Sequence, residues 1–109
     1  VRFVILEHDH PVLHWDLMLE SDGVLQTWRL ADMPAPGKPI EATALGDHRL
    51  LYLDYEGPVS GNRGTVRRWD AGTYHWDETG ILSLKGTRVR GRARLQPIDG
   101  TRWRFEWLP

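Results

Sequence analysis

The amino-acid sequence predicts an all-β protein, a small single-domain antiparallel β-barrel of about eight strands. Short runs rich in Val, Leu, Trp and Tyr recur between clusters of Gly, Pro, Asp and Asn, which is the spacing of an all-β chain. Helical periodicity is weak. A chain of 109 residues buries one core but not two, so these strands must share it, and one domain over 1–109 is expected. Closure follows because a barrel has no open edge to pair with other chains.

Taken in order, Arg2–Glu7 is an apolar strand, followed by Val12–Glu20 and Val24–Leu30 around the turn Ser21-Asp22-Gly23. Ala31–Pro39 is a loop, because Pro34, Pro36 and Pro39 offer no ladder donor. Ala42–Leu45 and Leu50–Tyr55 are the next strands, and the segment from Gly57 to Gly64 is a loop permissive enough to bend over a ligand. Gly64–Trp69 and Gly72–Trp76 are expected to form a hairpin around Asp70-Ala71-Gly72. Ile81–Lys85 follows Thr79-Gly80, then come Arg88–Leu95 and, after Asp99-Gly100, Trp103–Leu108. Most of the six tryptophans belong in the core: Trp103, Phe105 and Trp107 alternate with Arg102, Arg104 and Glu106.

Composition narrows the function. With no cysteine, disulfides and thiolate metal sites are excluded, and any metal takes nitrogen and oxygen ligands. No apolar run approaches the ~20 residues that cross a bilayer, and Val1–Leu6 is too short for a signal peptide. A monomer in a reducing cytoplasm, with no membrane association, is expected. Up to Val59, Arg2, Arg29, Lys38 and Arg49 stand against ten acids; from Ser60 onward ten Lys or Arg stand against Asp70, Asp77, Glu78, Asp99 and Glu106. Either the halves attract each other in the fold, or an acidic metal end adjoins a basic end for a polyanion.

The stretch Glu7–Glu20 carries the chemistry. Along a strand, Leu13, Trp15, Leu17 and Leu19 share one face, and His14, Asp16, Met18 and Glu20 the other. His14 and Asp16 then sit roughly 6.5 Å apart at Cα, a span that an imidazole and a carboxylate can close onto one ion. Pro11 turns the chain back so that His8 supplies a third ligand, with His10 as its competitor. The set His-x5-His-x-Asp suits Mn, Zn, Fe or Co and not Ca, and is expected at the barrel mouth. Asp47-His48-Arg49-Leu50-Leu51-Tyr52, read as a strand, puts His48 and Tyr52 on one face, where they can contact a phosphate or protonate a leaving group. Arg88, Arg90, Arg92 and Arg94 line one face of another strand. They form either a track for a nucleic-acid backbone or a solvated outer wall.

These residues resemble the 3′-phosphoesterase domain at the N-terminus of bacterial DNA ligase D. The resemblance rests on Glu7-His8-Asp9, Leu13-His14-Trp15-Asp16-Leu17 with Leu19-Glu20, Asp22-Gly23-Val24-Leu25 with Trp28, and Asp47-His48 with Tyr52. Asp54-Tyr55-Glu56-Gly57, Gly64-Thr65-Val66 and Trp69-Asp70-Ala71-Gly72-Thr73 extend it. It implies a Mn²⁺-dependent enzyme, Zn²⁺ or another transition metal also fitting the ligands, that removes a 3′-terminal ribonucleotide and then the 3′-phosphate from nucleic-acid ends. By position, His8, His14 and Asp16 match the metal ligands, and His48 and Tyr52 the active-site pair around the phosphate. Asp9 and Glu20 are expected to accept hydrogen bonds from ligand histidines.

The chain departs from the family pattern at Met18, where an arginine is usual, at Asp32, where a lysine is usual, and at Leu6, where a glutamine is usual. Either Arg29, Arg49 or an arginine of the basic half replaces the lost cation, or the substrate differs, or the site binds without efficient turnover. Two rival readings follow: a DNA-end-binding accessory module with weakened turnover, and a non-haem metal oxygenase built on two His and a carboxylate. A separate ligase or polymerase is the expected protein partner.

Overall fold

Alternation along each strand builds two apolar layers, one inside a closed sheet and one on its outer wall. The computed structural model describes residues 1–109. Its strands are β1 (Arg2–His8), β2 (His14–Ser21), β3 (Val24–Leu30), β4 (Ile40–Ala44), β5 (Gly57–Pro58), β6 (Thr65–Trp76), β7 (Ile81–Gly86), β8 (Arg90–Asp99) and β9 (Arg102–Trp107). Neighbours run β1-β2-β3-β4-β9-β8-β7-β6, and β6 pairs back onto β1. The result is the expected closed antiparallel barrel of eight strands, with the short β5 added along β6. No helix is long and apolar enough to cross a membrane.

The barrel interior is filled by one side of each strand: Phe3 and Ile5, Leu17 and Leu19, Trp28 and Leu30, Ile40 and Ala42, then Tyr74, Leu82, Leu84, Ala93, Leu95 and Phe105. The other side of β1, β2 and β3 is buried as well. Val4, Leu6, Met18 and Leu25 pack with Val66 beneath Leu53, flanked by Tyr52, Tyr55 and Val59. Burial on both faces explains why β1 reads as a continuous apolar run. The Leu53 side chain alone contributes about 1.5–3 kcal/mol to holding this cover on the wall. Polar ties fix its edges: Arg2 meets Asp54 at 2.7 Å, and the Arg68 backbone N–H reaches Glu56 at 2.8 Å.

Several boundaries differ from expectation. Leu50–Tyr55 is not a strand; Leu50–Leu53 is a 3₁₀ turn, closed by the N–H groups of Tyr52 and Asp54 on the carbonyls of Arg49 and Leu51. The fourth strand is Ile40–Ala44, and Gly57–Pro58, expected in a loop, forms β5.

Asp70-Ala71-Gly72 is not a hairpin turn but the middle of β6, which runs unbroken from Thr65 to Trp76. The buried Asp70 carboxylate accepts backbone N–H groups of Ala71, Thr87, Arg88 and Val89 at 2.8–3.0 Å, so it ties β6 to the β7–β8 connection. The β1–β6 register shifts beside it, between Ile5 and Leu6. Gly86 is required there: an added Cβ would lie 2.2 Å from Asp70 Oδ2.

Candidate metal centre and its cleft

The outward face of β1 and β2 assembles the cluster by register alone. His8 stands opposite His14, and Leu6 opposite Asp16, so alternation puts both imidazoles and the carboxylate on one side of the hairpin. That side is the outer wall of the barrel under the Tyr52–Val59 cover, not the barrel mouth. The interior at this level is taken by the opposite faces of the same strands, with Ile5 and Leu17.

His14 and Asp16 are 2% and 3% exposed, so their unpaired polar atoms have no water to turn to. His14 Nδ1 lies 2.8 Å from the Val12 carbonyl, and His8 Nε2 lies 2.8 Å from the Arg63 carbonyl. A carbonyl only accepts, so these two nitrogens carry the protons. The opposite nitrogens are left with lone pairs when the rings are neutral. Both lone pairs turn on Asp16: His8 Nδ1 is 3.5 Å from Oδ2, and His14 Nε2 is 3.1 Å from Oδ1.

Although the second contact is short, neither His14 Nε2 nor Asp16 Oδ1 has a hydrogen-bond partner. With the rings neutral, three acceptor atoms converge where a cation could be shared. One ligand atom from each of the three residues lies within 4.8 Å of the others. Two ligands bound at ~2.1 Å stand about 3.0 to 3.4 Å apart in octahedral or tetrahedral geometry. The donor set therefore fits a divalent transition metal, with the two carbonyls orienting the ligand rings from behind.

The cluster opens into a cleft of about 200 Å³ between the β-wall and the cover. His8, Asp16, Met18 and Arg29 line the wall side, and His48, Tyr52 and Arg63 the side facing it. His48 is held by a two-way backbone bridge to Leu25, and its Nδ1 donates to the Gly46 carbonyl at 2.9 Å, which leaves Nε2 free. Tyr52 projects from the 3₁₀ turn with its ring edge-on to His48, centroids 6.0 Å apart. The pair is thus brought together by a bridge and a turn rather than by a shared strand face.

Other expected residues fall elsewhere. His10 lines the cleft, but its ring centroid stays 6.5 Å from that of His8, and it is not among the three converging ligands. Asp9 does not contact a ligand histidine: its Oδ1 accepts the Thr65 N–H at 2.8 Å, close over Gly64, whose φ of +76° and 2.2 Å clearance exclude a side chain. Glu20 sits at the far end of β2, where Oε1 accepts the Arg2 N–H at 2.9 Å. Arg29 lines the cleft; Arg49 is exposed and does not.

The arginine stripe lies on the opposite wall, since β8 is four strands from β2 in either direction around the barrel. Arg88 precedes β8 and stacks over Trp69 at 5.0 Å. Arg90 Nε donates to the Gly86 carbonyl at 3.0 Å, Arg92 approaches Asp77 at 3.6 Å, and Arg94 pairs in register with Glu106. Sequence reasoning missed the Val12 and Arg63 carbonyls, because backbone atoms leave no residue-type signal. It also missed the apolar walls from Leu45 and Val66, the latter signalled only by strand alternation on β6.

Comparison with known proteins gives the family. Residues 6–107 match the family model for the DNA Ligase D 3′-phosphoesterase domain. The chain is 35% identical over 114 residues to the multifunctional non-homologous end joining DNA repair protein LigD of Mycobacterium tuberculosis, covering 93% of this chain and 15% of that protein. It is 33% identical over 109 residues to LigD of Pseudomonas aeruginosa, covering 87% of this chain and 13% of that protein. LigD of Mycolicibacterium smegmatis is 32% identical over 124 residues, covering 94% of this chain and 16% of that protein. The chain thus spans only a small part of the length of these relatives. A match across nearly all of its own residues places it among them: the chain belongs to the DNA Ligase D 3′-phosphoesterase domain family.

Proposed function

We propose that this domain is a divalent-metal-dependent phosphoesterase that trims nucleic-acid 3′ ends during end-joining repair, removing a 3′-terminal ribonucleotide or 3′-phosphate. The observation that carries the reading is the convergence of His8 Nδ1, His14 Nε2 and the Asp16 carboxylate, with both rings locked by backbone carbonyls. Mn²⁺ is the proposed metal, with Zn²⁺ or another transition ion compatible with two nitrogens and one oxygen. When bound, such an ion polarises a phosphoryl oxygen and lowers the pKa of a coordinated water.

The chain's own residues do the rest. His8 and His14 supply neutral donors held in place before the ion arrives, and Asp16 supplies the negative charge. His48 faces the cleft from the cover side and serves as the proton donor to the leaving oxygen. The Tyr52 hydroxyl orients the phosphate beside it. The product is a plain 3′-hydroxyl end, the substrate that a ligase or polymerase requires, and this matches the multifunctional end-joining relatives.

The test is a primer ending in a 3′-ribonucleotide or a 3′-phosphate, incubated with and without Mn²⁺. Metal-dependent release of nucleoside and inorganic phosphate, abolished in His14→Ala, is expected. Binding of the same end with no release at any metal or pH would instead establish an accessory end-binding module, a reading favoured by the uncharged Met18 in the cleft wall. Oxygen uptake by the Fe²⁺-loaded protein would mark an oxygenase.

A further inference from the structure

We infer that Arg29 is the residue that grips the substrate phosphate, and that its charge makes metal and phosphate binding mutually dependent; this rests on the phosphoesterase reading above. Arg29 stands directly opposite Asp16 across β2 and β3, on the same outward face, and lines the cleft with His48 and Tyr52. Its Nε is buried and has no hydrogen-bond partner. A cation beside a carboxylate would ordinarily pair with it, yet Arg29 makes no ion pair with Asp16 or any other acid. The reason is geometric: Asp16 Oδ1 faces His14 and Oδ2 faces His8, so both oxygens are turned toward the ligand histidines.

A buried guanidinium donor with no acceptor calls for an anion from outside, and the guanidinium fork matches the oxygens of a phosphate. The other arginine of the cleft is already occupied. Arg63 Nε donates to the Ser60 carbonyl at 2.7 Å, and its terminal nitrogen contacts Ser60 Oγ at 3.2 Å.

The position of Arg29 has an energetic consequence. Across an antiparallel pair, facing Cβ atoms are about 5 Å apart, so a cation held by Asp16 and the Arg29 guanidinium repel each other until an anion lies between them. Phosphate bound by the Arg29 guanidinium would screen that repulsion. By linkage, phosphate tightens metal binding and metal tightens phosphate binding by the same factor.

The test is calorimetric titration of the whole chain with Mn²⁺ alone, inorganic phosphate alone, and phosphate with Mn²⁺ present, in wild type, Arg29→Met and Arg29→Gln. In wild type each ligand should strengthen the other. In R29M, phosphate affinity of the Mn²⁺-loaded protein should fall by about tenfold or more, while affinity for Mn²⁺ alone stays level or rises because a neighbouring positive charge is gone. R29Q keeps a polar group in the cleft and decides the matter if R29M fails to fold; the same loss is expected. Wild-type phosphate affinity in the folded variant, or a parallel loss of phosphate and Mn²⁺ affinity, would overturn the assignment. Absence of Mn²⁺ binding in wild type would sink the metal centre instead, and phosphate titration of metal-free wild type against R29M would still judge Arg29: an equal affinity in the two rejects it, a weaker one in R29M upholds it.

Discussion

His8 and His14 are register partners at the loop end of the β1–β2 hairpin, and each anchors one ring nitrogen on a backbone carbonyl while turning the other toward Asp16. Ring orientation is therefore set by the backbone before any ion binds. The same anchoring holds His8 Nδ1, His14 Nε2 and the Asp16 carboxylate close to one another in a buried site.

That confrontation predicts opposite effects of one substitution on stability and on binding. In Asp16→Asn the negative charge is gone and the amide N–H can donate to the lone pair of one of the two histidines, so the metal-free variant should unfold at a temperature equal to or above wild type. The anionic ligand is lost with it. At Mn²⁺ about 100-fold above its dissociation constant, wild type should gain about 2.7 kcal/mol, and the variant should gain much less. Thermal denaturation with and without Mn²⁺ checks both; a metal-free D16N clearly less stable than wild type would contradict the account.

Asp70, buried but outside the cleft, is predicted to be a stability residue. Replacing it by Ala strands the backbone N–H groups of Thr87, Arg88 and Val89, at a cost of about 3 kcal/mol or more. Gly86→Ala, with its new Cβ 2.2 Å from the carboxylate, should act in the same direction. Urea titration should show both losses while Mn²⁺ binding by the remaining folded protein is unchanged.

Asp70 also shows where local composition misleads. Asp-Ala-Gly reads as a turn because these residues favour turns in isolation, but here the acidic side chain is used by a hairpin remote in sequence, and tertiary bonding overrides the local preference. Leu50–Leu53 failed for the complementary reason: a short apolar run does not reveal whether it is strand or turn. The convergence of these three side chains was legible because His14 and Asp16 are two residues apart on one strand and His8 is one hairpin away, distances over which alternation alone dictates the face. The outer-wall location was not legible, since β1 is apolar on both sides and nothing local tells the covered wall from the lumen.

Acid should erase one surface contribution to stability. Asp77 accepts from the Thr79 hydroxyl at 2.5 Å and from the backbone N–H of Ile81 and Thr79. The Thr79 side chain first, then those amides and nearby Arg92, hold its carboxyl down at about 2 from an ordinary 3.8. A depressed folded-state pKa adds stability above the unfolded value and loses it as pH falls toward the folded one. Asp77→Asn should thus be less stable than wild type at neutral pH, with the gap closing between about pH 4 and pH 2. A gap independent of pH would exclude the carboxylate as its source.

The far-wall arginines and the cover-side pair are predicted to separate in activity assays. Arg90, Arg92 and Arg94 lie across the barrel from the cleft, so replacing all three by Ala should leave turnover of a short single-stranded 3′-phosphate primer within about twofold, while weakening any salt-dependent binding of long duplexes. His48→Ala removes the proposed proton donor and should lower kcat by about 10²–10⁴ with Mn²⁺ affinity intact, because His48 is not one of the converging ligands. Tyr52→Phe keeps the ring packing against His48 and Tyr55 and loses only the hydroxyl, so its deficit should be smaller. Single-turnover rates alongside metal titrations make the comparison. Loss of Mn²⁺ binding in H48A would place His48 among the ligands, and a triple-arginine variant inactive on the short primer would mean that the substrate reaches around the barrel.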